Sequence, residues 1–397
     1  MTKIADETEY RRHVRIWKVL YALANRLICR KFRMTHEDLD VEGPVLLVSN
    51  HVTGWDPLLV AMSLRKKHVY YVGSEHIFRL GAVSKLLRFF LAPIARPKAG
   101  SGLETVRECL EHLKAGHSVC LFAEGERTWD GRSAEIFPAT GKLVKMSGAS
   151  LVTYRLSGGY LTLPRWRKTL RHGKMHGAPV GIYTPETLAA MRPKEVNDLI
   201  NRDIFEDAWA AQKASGVVFT GRKPAEGLER ALYLCPGCGK LGTLRTKDSR
   251  IFCACGFGAL YSENGFSALQ DTDGDRGEAP FPTLVEWDAW QKEALRRYVR
   301  EAPADRPLFS DDRLRFSEID AGHEGRRLGT GTLRMYPDRL CFSGLEIPLA
   351  EIRTMAMIQA NRLVFSTKDG YYEVYSKPHA RVNLRKYLEV RNGAAGQ

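Results

Sequence analysis

Four short apolar runs limit what the first half of this chain can fold into. Val45–Ser49, Val69–Gly73, Val119–Ala123 and Leu151–Leu156 are each five or six residues long and hydrophobic at most positions. Runs of that length are short for a core helix, and without polar alternation they suit strands covered on both faces. Between the second and third, Ser101–Ala115 sets Leu103, Val106, Leu110 and Leu113 on one helical side. A last helix is expected over Pro193–Lys213, ending at Ser215-Gly216. Strands alternating with helices predict an α/β domain with a mixed, largely parallel sheet. Loops at the carboxyl ends of such strands are the usual place for a site.

Two motifs stand in those loops. Asn50-His51-Val52-Thr53-Gly54-Trp55-Asp56 follows the first run, and Phe122-Ala123-Glu124-Gly125-Glu126-Arg127-Thr128 closes the third. A histidine oriented by a nearby carboxylate is a ready general base for an alcohol, because the carboxylate fixes the tautomer and stabilises the imidazolium. Arg127 suits an anionic group such as phosphate. Each motif alone has a plainer reading, as a surface histidine with a helix-capping aspartate and as a turn with a solvated ion pair. Their pairing in this order, each at the end of a strand-like run, describes chemistry on a hydroxyl whose molecule carries a phosphate.

On these residues the chain resembles the glycerolipid acyltransferases, the lysophosphatidic acid acyltransferase family. Asn50, His51 and Asp56 match that family's Asn-His-x-x-x-x-Asp signature. Phe122, Glu124, Gly125 and Arg127 match Phe-Pro-Glu-Gly-Thr-Arg-Ser, with Thr128 in place of serine, Ala123 in place of proline and Glu126 in place of threonine. A further signature, apolar residues ending in arginine, corresponds to Leu91-Ala92-Pro93-Ile94-Ala95-Arg96, where Arg96 is a phosphate contact or an ordinary solvated arginine. The fourth has only Leu151–Tyr160 to match it, without the family's proline, and Gly158-Gly159 there either permits close backbone approach to a ligand or makes a turn, the turn being the plainer reading. The resemblance implies an O-acyltransferase that moves a fatty acyl group from acyl-CoA or acyl carrier protein to a lysophospholipid hydroxyl, most simply 1-acyl-glycerol-3-phosphate in phospholipid biosynthesis. His51 and Asp56 would be catalytic, and Asn50, Arg96, Glu124, Gly125, Arg127 and Thr128 would bind substrate. The resemblance ends near residue 215.

Lys and Arg exceed Asp and Glu by 60 to 46, a net +14. Such a surface suits nucleic acid, anionic lipid or phosphorylated substrates. No stretch approaches the ~20 apolar residues that span a bilayer; Val83–Ala95 is broken by Lys85 and Arg88. With an acidic Met1–Tyr10 and no apolar leader, the expectation is a cytoplasmic protein, peripheral on the inner face of the cell membrane. Residues 1–34 would make that contact. Tyr10, Val14, Trp17, Tyr21, Ala24 and Ile28 share one helical face, while Arg11, Arg15, Lys18, Arg26 and Arg30 lie off it. The same face could instead pack on the catalytic domain. Arg165, Trp166, Arg167, Lys168 and Arg171 form a second basic-aromatic patch, read as an anion or membrane contact or a solvated loop.

Beyond the α/β domain (35–220), Cys235-Pro236-Gly237-Cys238 and Cys253-Ala254-Cys255-Gly256 suit a structural, all-thiolate zinc site over residues 230–262. The segment resembles a zinc ribbon whose second knuckle is one residue short. Four thiolates leave no open position for catalysis. Nucleic-acid binding through Lys240, Arg245, Lys247 and Arg250 is the less expected role. Residues 263–305 read as a polar linker and a helix over Leu284–Val299; Asp271–Asp275 lacks the glycine and glutamate of a calcium loop. From 306 to 393, six short strands from Thr332 onward and a helix over Pro378–Val390 resemble an all-β pleckstrin-homology-like or GRAM-type barrel. Two other readings stay open: an inactive acyltransferase-like binding protein, which the intact His51–Asp56 pair disfavours, and a nucleic-acid-binding ribbon protein.

Overall fold

The computed structural model describes residues 7–74, 85, 89, 92–96, 102–262, 264–268, 279–320, 325–342, 344–377 and 380–395. The chain divides into two compact units: residues 1–97, 101–165 and 169–220 form one, and residues 98–100, 166–168 and 221–397 the other. Among the described residues, no helix is long and apolar enough to cross a membrane. Most of Val83–Ala95 and all of Asp271–Asp275 lie outside them.

The first unit is built on seven strands: β1 (Met34–His36), β2 (Val45–Ser49), β3 (Val69–Ser74), β4 (Ile94–Arg96), β5 (Ser118–Leu121), β6 (Ser150–Ser157) and β7 (Met175–Tyr183). Their order is β1-β7-β6-β2-β5-β3-β4. β2 pairs in parallel with β5 and β6, and β3 in parallel with β5 and β4. β7 runs antiparallel to β6, and β1 follows β7. The sheet is therefore mixed, with five strands in one direction and two in the other. β2 lies at its centre and is buried at every residue, which is why its sequence shows no alternation. β7 escaped notice in the sequence because Gly177, Pro179 and Gly181 interrupt it and its exposed positions include Val180.

Helices Leu103–Lys114, Thr140–Ser147 and Pro193–Ile204 bring Cys109, Leu113, Leu143, Val144, Val196 and Ile200 into one core with Val48, Val119, Leu121 and Leu151. The single helix expected over 193–213 is two, Pro193–Ile204 and Ala208–Ser215. Asp207 divides them: its carboxylate accepts from the N–H groups of Trp209 and Ala210 at 3.1 and 3.0 Å, capping a new helix.

The N-terminal helix, Glu7–Phe32, resolves the two readings of its apolar face. Trp17 Nε1 donates to the Leu64 carbonyl and the Tyr21 hydroxyl to that of Met62, each at 2.7 Å. Tyr10 stacks on His117 with ring centroids 4.2 Å apart, and His13 stacks on His68 at 4.9 Å. Burial pushes His68 down to about 3 and His112 to about 4, so both stay neutral in this stack. The face proposed for lipid thus packs inward. A second stripe faces out: Val19, Leu23 and Leu27 are 78, 62 and 58 % exposed, spaced by four and flanked by exposed Arg15, Lys18, Arg26 and Arg30. The 165–171 patch needs a similar correction, because Arg165, Trp166, Arg167 and Arg171 are all buried and only Lys168 and Thr169 between them are exposed.

The second unit holds two antiparallel sheets. The smaller comprises β8 (Arg245–Lys247), β9 (Arg250–Phe252), β10 (Gly258–Ser262) and β11 (Gly265–Ala268) in the order β11-β10-β9-β8. β11 replaces part of the polar linker expected after residue 262. Helix Leu284–Glu301 follows, capped by Thr283 with Glu286 reaching back. The larger sheet comprises β12 (Phe309–Ile319), β13 (Gly325–Met335), β14 (Arg339–Phe342), β15 (Leu345–Pro348), β16 (Thr354–Ile358), β17 (Arg362–Ser366) and β18 (Tyr371–Tyr375), in the order β15-β14-β13-β12-β18-β17-β16. Two meanders are joined where β12 pairs with β18. β12 was invisible to hydrophobic patterning, since Ser310-Asp311-Asp312-Arg313 opens it and two register shifts break its alternation. The final helix is Arg385–Ala395 and begins later than expected; Pro378 lies outside the described residues. Arg385 anchors it with a 2.7 Å ion pair to buried Asp288, and Lys386 does so with one to Asp311.

Candidate active site

The parallel strands β2 and β5 end side by side, so the loops that follow them are neighbours, and hydrogen bonds join them. Glu124 Oε1 accepts the His51 N–H at 2.7 Å, and the Thr128 N–H donates to the His51 carbonyl at 3.2 Å. Glu124 Oε2 accepts the Ala134 N–H at 2.7 Å. Glu124 is therefore the staple between the two motifs. Burial pushes its carboxyl up to about 8 against the pull of those two backbone donors. Gly125 has φ +76°, and a Cβ there would lie 2.2 Å from the Phe137 ring, so no other residue fits the turn.

His51 Nδ1 lies 2.7 Å from Asp56 Oδ2, and Phe122 stacks on the imidazole with ring centroids 4.6 Å apart. Asp56 is fully buried and heads the short helix Asp56–Ala61. Its Oδ2 also accepts the N–H groups of Val52 and Thr53 at 2.7 and 3.0 Å, and Oδ1 accepts the Thr53 hydroxyl at 2.7 Å. With Asp56 as acceptor, the ring proton sits on Nδ1, and in that tautomer Nε2 carries the basic lone pair.

Asn50 and Thr128 point elsewhere. The Asn50 amide bridges β2 to β6, donating to the Leu156 carbonyl at 3.0 Å and accepting its N–H at 2.8 Å. The Thr128 hydroxyl donates to Asp130 and accepts the Gly131 N–H, each at 3.0 Å. Both shape the loops. Gly158-Gly159 is a close approach as well as a turn, since a Cβ at 159 would lie 2.5 Å from Val52 Cγ2.

The two arginines both feel the Glu126 carboxylate. A Cβ on Gly54 would lie 3.5 Å from Arg127 Nη1, and one on Gly125 would lie 3.4 Å from Arg96 Nη1. Arg96 also stacks over Phe137 at 4.4 Å. Burial lowers the pKa of both guanidinium groups, opposed in each by the Glu126 carboxylate and in Arg127 also by Asp56. Sequence reasoning missed the partner that completes this group. Arg165 Nη1 donates to Glu126 Oε2 at 3.2 Å and to the Arg127 carbonyl at 2.8 Å, and its guanidinium lies 3.8 Å from the Trp129 ring centroid. No local signal could reveal it, since 38 residues separate Arg165 from Arg127. Glu206 was also missed: it accepts the Gly158 N–H at 2.8 Å, and burial pushes its carboxyl up to about 7.

Residues 31–157 match the acyltransferase family model. That acyltransferase-type segment contains His51, Asp56, Arg96, Glu124, Gly125, Arg127 and Thr128. Over 136 residues the chain is 27% identical to the chloroplast 1-acyl-sn-glycerol-3-phosphate acyltransferase LPAT1 of Arabidopsis thaliana, a match covering 34% of this chain and 38% of that protein. The chain thus spans well under half of that relative's length. The crystal structure of the 1-acyl-sn-glycerophosphate acyltransferase PlsC from Thermotoga maritima superposes with a TM-score of 0.41 at 18% identity, covering 48% of this chain and 78% of that one.

In the second unit, the turn before β8 and the β9–β10 turn bring together Cys235, Cys238, Cys253 and Cys255, whose sulfur atoms all lie within 4.8 Å of one another. Cys235 and Cys255 are 3.7 Å apart, and Cys238 and Cys253 3.9 Å. A tetrahedral zinc site with Zn–S bonds of about 2.3 Å places its sulfurs about 3.8 Å apart. The donor set and its spacing fit such an ion.

Proposed function

We propose that this protein is an O-acyltransferase that moves a fatty acyl group from acyl-CoA or acyl carrier protein to the hydroxyl of a lysophospholipid, with 1-acyl-glycerol-3-phosphate as the simplest acceptor. The observation that carries this reading is the joining of two functions in one backbone assembly. The loop of the histidine–aspartate base and the loop that carries Arg127 are held together through Glu124 and the His51 carbonyl.

His51 Nε2 takes the acceptor's hydroxyl proton while Asp56 stabilises the imidazolium through Nδ1–H. The alkoxide oxygen bonds to the thioester carbonyl carbon, giving a tetrahedral oxyanion. That intermediate collapses by breaking the C–S bond, and the departing thiolate recovers the proton from His51. No acyl-enzyme is needed, because neither motif supplies a nucleophile. Arg127 and Arg96 bind the acceptor phosphate. Thiol release in the presence of a thioester donor and lysophosphatidic acid tests the reading. Arg127→Ala will raise the KM for that acceptor roughly 10- to 100-fold, since a charge-assisted contact is lost. Arg127→Lys will recover only part of the loss, lacking the planar fork. An Arg127→Ala enzyme with unchanged KM would move the clamp elsewhere.

The membrane side of the proposal rests on the outward stripe of the N-terminal helix. Val19, Leu23 and Leu27 would enter the interface of the inner face of the cell membrane while Arg15, Lys18, Arg26 and Arg30 meet anionic headgroups. The helix ends beside the site, with Lys31 Nζ 4.1 Å from the Trp55 ring centroid. A Leu23→Glu Leu27→Glu variant will bind anionic vesicles at least about 100-fold more weakly, since burying each leucine is worth roughly 1.5–3 kcal/mol. Equal binding by sedimentation would remove the helix from this role.

In the second unit we read the cysteine cluster as a structural zinc ribbon. The seven-stranded antiparallel sheet with its C-terminal helix we read as a pleckstrin-homology-like domain.

A further inference from the structure

We propose that Arg165 is a positioning residue that sets the charge of the acceptor pocket: by holding the Glu126 carboxylate it leaves Arg96 and Arg127 to a phosphomonoester dianion. This rests on the acyltransferase reading of the same site. Among the described residues, Arg165 bonds the Glu126 carboxylate, which also acts electrostatically on Arg96 and Arg127, so three guanidinium groups share one carboxylate, an excess of two positive charges. Asp56, the other nearby anion, is already met by His51 Nδ1, two backbone N–H groups and the Thr53 hydroxyl. A phosphomonoester carries roughly −1.5 to −2 at neutral pH, while a phosphodiester carries a single charge. Without Arg165, Glu126 would turn to its other cationic neighbours, Arg96 and Arg127, and compete with the substrate for them.

The geometry suits a fixed rather than a mobile partner. The Arg165 side chain is 2 % exposed against 29 % for Glu126. It is sandwiched by the Trp129 ring and tied to the Arg127 carbonyl. A buried arginine held by stacking and a backbone acceptor keeps its direction whether or not substrate is present, so Glu126 has a standing partner.

A double-mutant cycle on the full chain tests this, with Arg165→Met, Glu126→Gln and the pair assayed on lysophosphatidic acid and on lysophosphatidylglycerol. Binding of decyl phosphate, measured by calorimetry, runs alongside and needs no turnover. Arg165→Met will raise the KM for the monoester about 10- to 100-fold, with the larger share of the loss in KM rather than kcat. The diester will lose less. Adding Glu126→Gln will return the monoester KM to within about threefold of the parent, because the freed carboxylate is the cause of the loss. A double variant as poor as Arg165→Met overturns the proposal, since Arg165 would then act other than through Glu126. Should Arg165→Met fail to fold, Arg165→Gln takes its place in the cycle, and the same two outcomes of the double variant support or overturn the role. A protein whose decyl phosphate binding follows the cycle but which transfers no acyl group would refute the acyltransferase reading and leave the Arg165 assignment standing.

Discussion

Replacing His51 with alanine will slow acyl transfer by roughly 10²–10⁴, the usual worth of a positioned general base, while leaving the melting temperature near that of the parent. The imidazole is partly exposed and stacks on Phe122, and without it buried Asp56 keeps the N–H groups of Val52 and Thr53 and the Thr53 hydroxyl. Asp56→Asn will behave differently. Asp56 receives backbone N–H groups on both oxygens and the Thr53 hydroxyl on one, and an amide presents a donor to at least one of them. The variant will lose activity and also about 1–3 kcal/mol of stability, the penalty for a buried donor left facing a donor. Thioester consumption and thermal melts on both proteins check this. Near-normal turnover by His51→Ala would remove the mechanism.

The second large effect concerns the metal. The purified protein will carry one zinc per chain by elemental analysis, and stripping it with a strong chelator will unfold the β8–β11 sheet. Small sheets of this kind gain roughly 10–16 kcal/mol from their metal, which is folding energy. Cys235→Ser Cys238→Ser will lose both the ion and amide-exchange protection over residues 230–262. A metal-free protein with those amides still protected would show that packing alone holds the fold.

The parts of the fold that could be read from sequence are those whose burial is uniform. β2, β3, β5 and β6 lie in the interior of the sheet, and their apolar runs reported them directly. β7 and β12 are half covered, broken by glycine, proline or bulges, and gave no periodic signal. The N-terminal helix shows a related limit. Its aromatic face was plain, yet Val19, Leu23 and Leu27 were hidden among arginines, and only packing reveals which stripe faces inward. At the site, His51, Asp56, Arg96 and Arg127 were legible because each sits in a short motif. The structural duties of Asn50, Glu124 and Thr128 were not, since they depend on Leu156, Ala134 and Gly131, contacts made by the tertiary fold. Arg165 was counted only as one charge in a basic patch.

The staple between the two motif loops has a consequence for which isomer reacts. Because Glu124 and the His51 carbonyl hold the loop of the base and the loop of Arg127 in one frame, the span from the proton acceptor to the proposed phosphate contact at Arg127 is a fixed gauge. Lysolipids whose free hydroxyl stands one carbon nearer to or farther from the phosphate would share the same headgroup contacts, yet only one would bring its oxygen to Nε2. Regiochemistry would then be decided by backbone hydrogen bonds between loops that never touch the reacting carbon, and loosening the staple would blur the product's positional identity before it weakened binding.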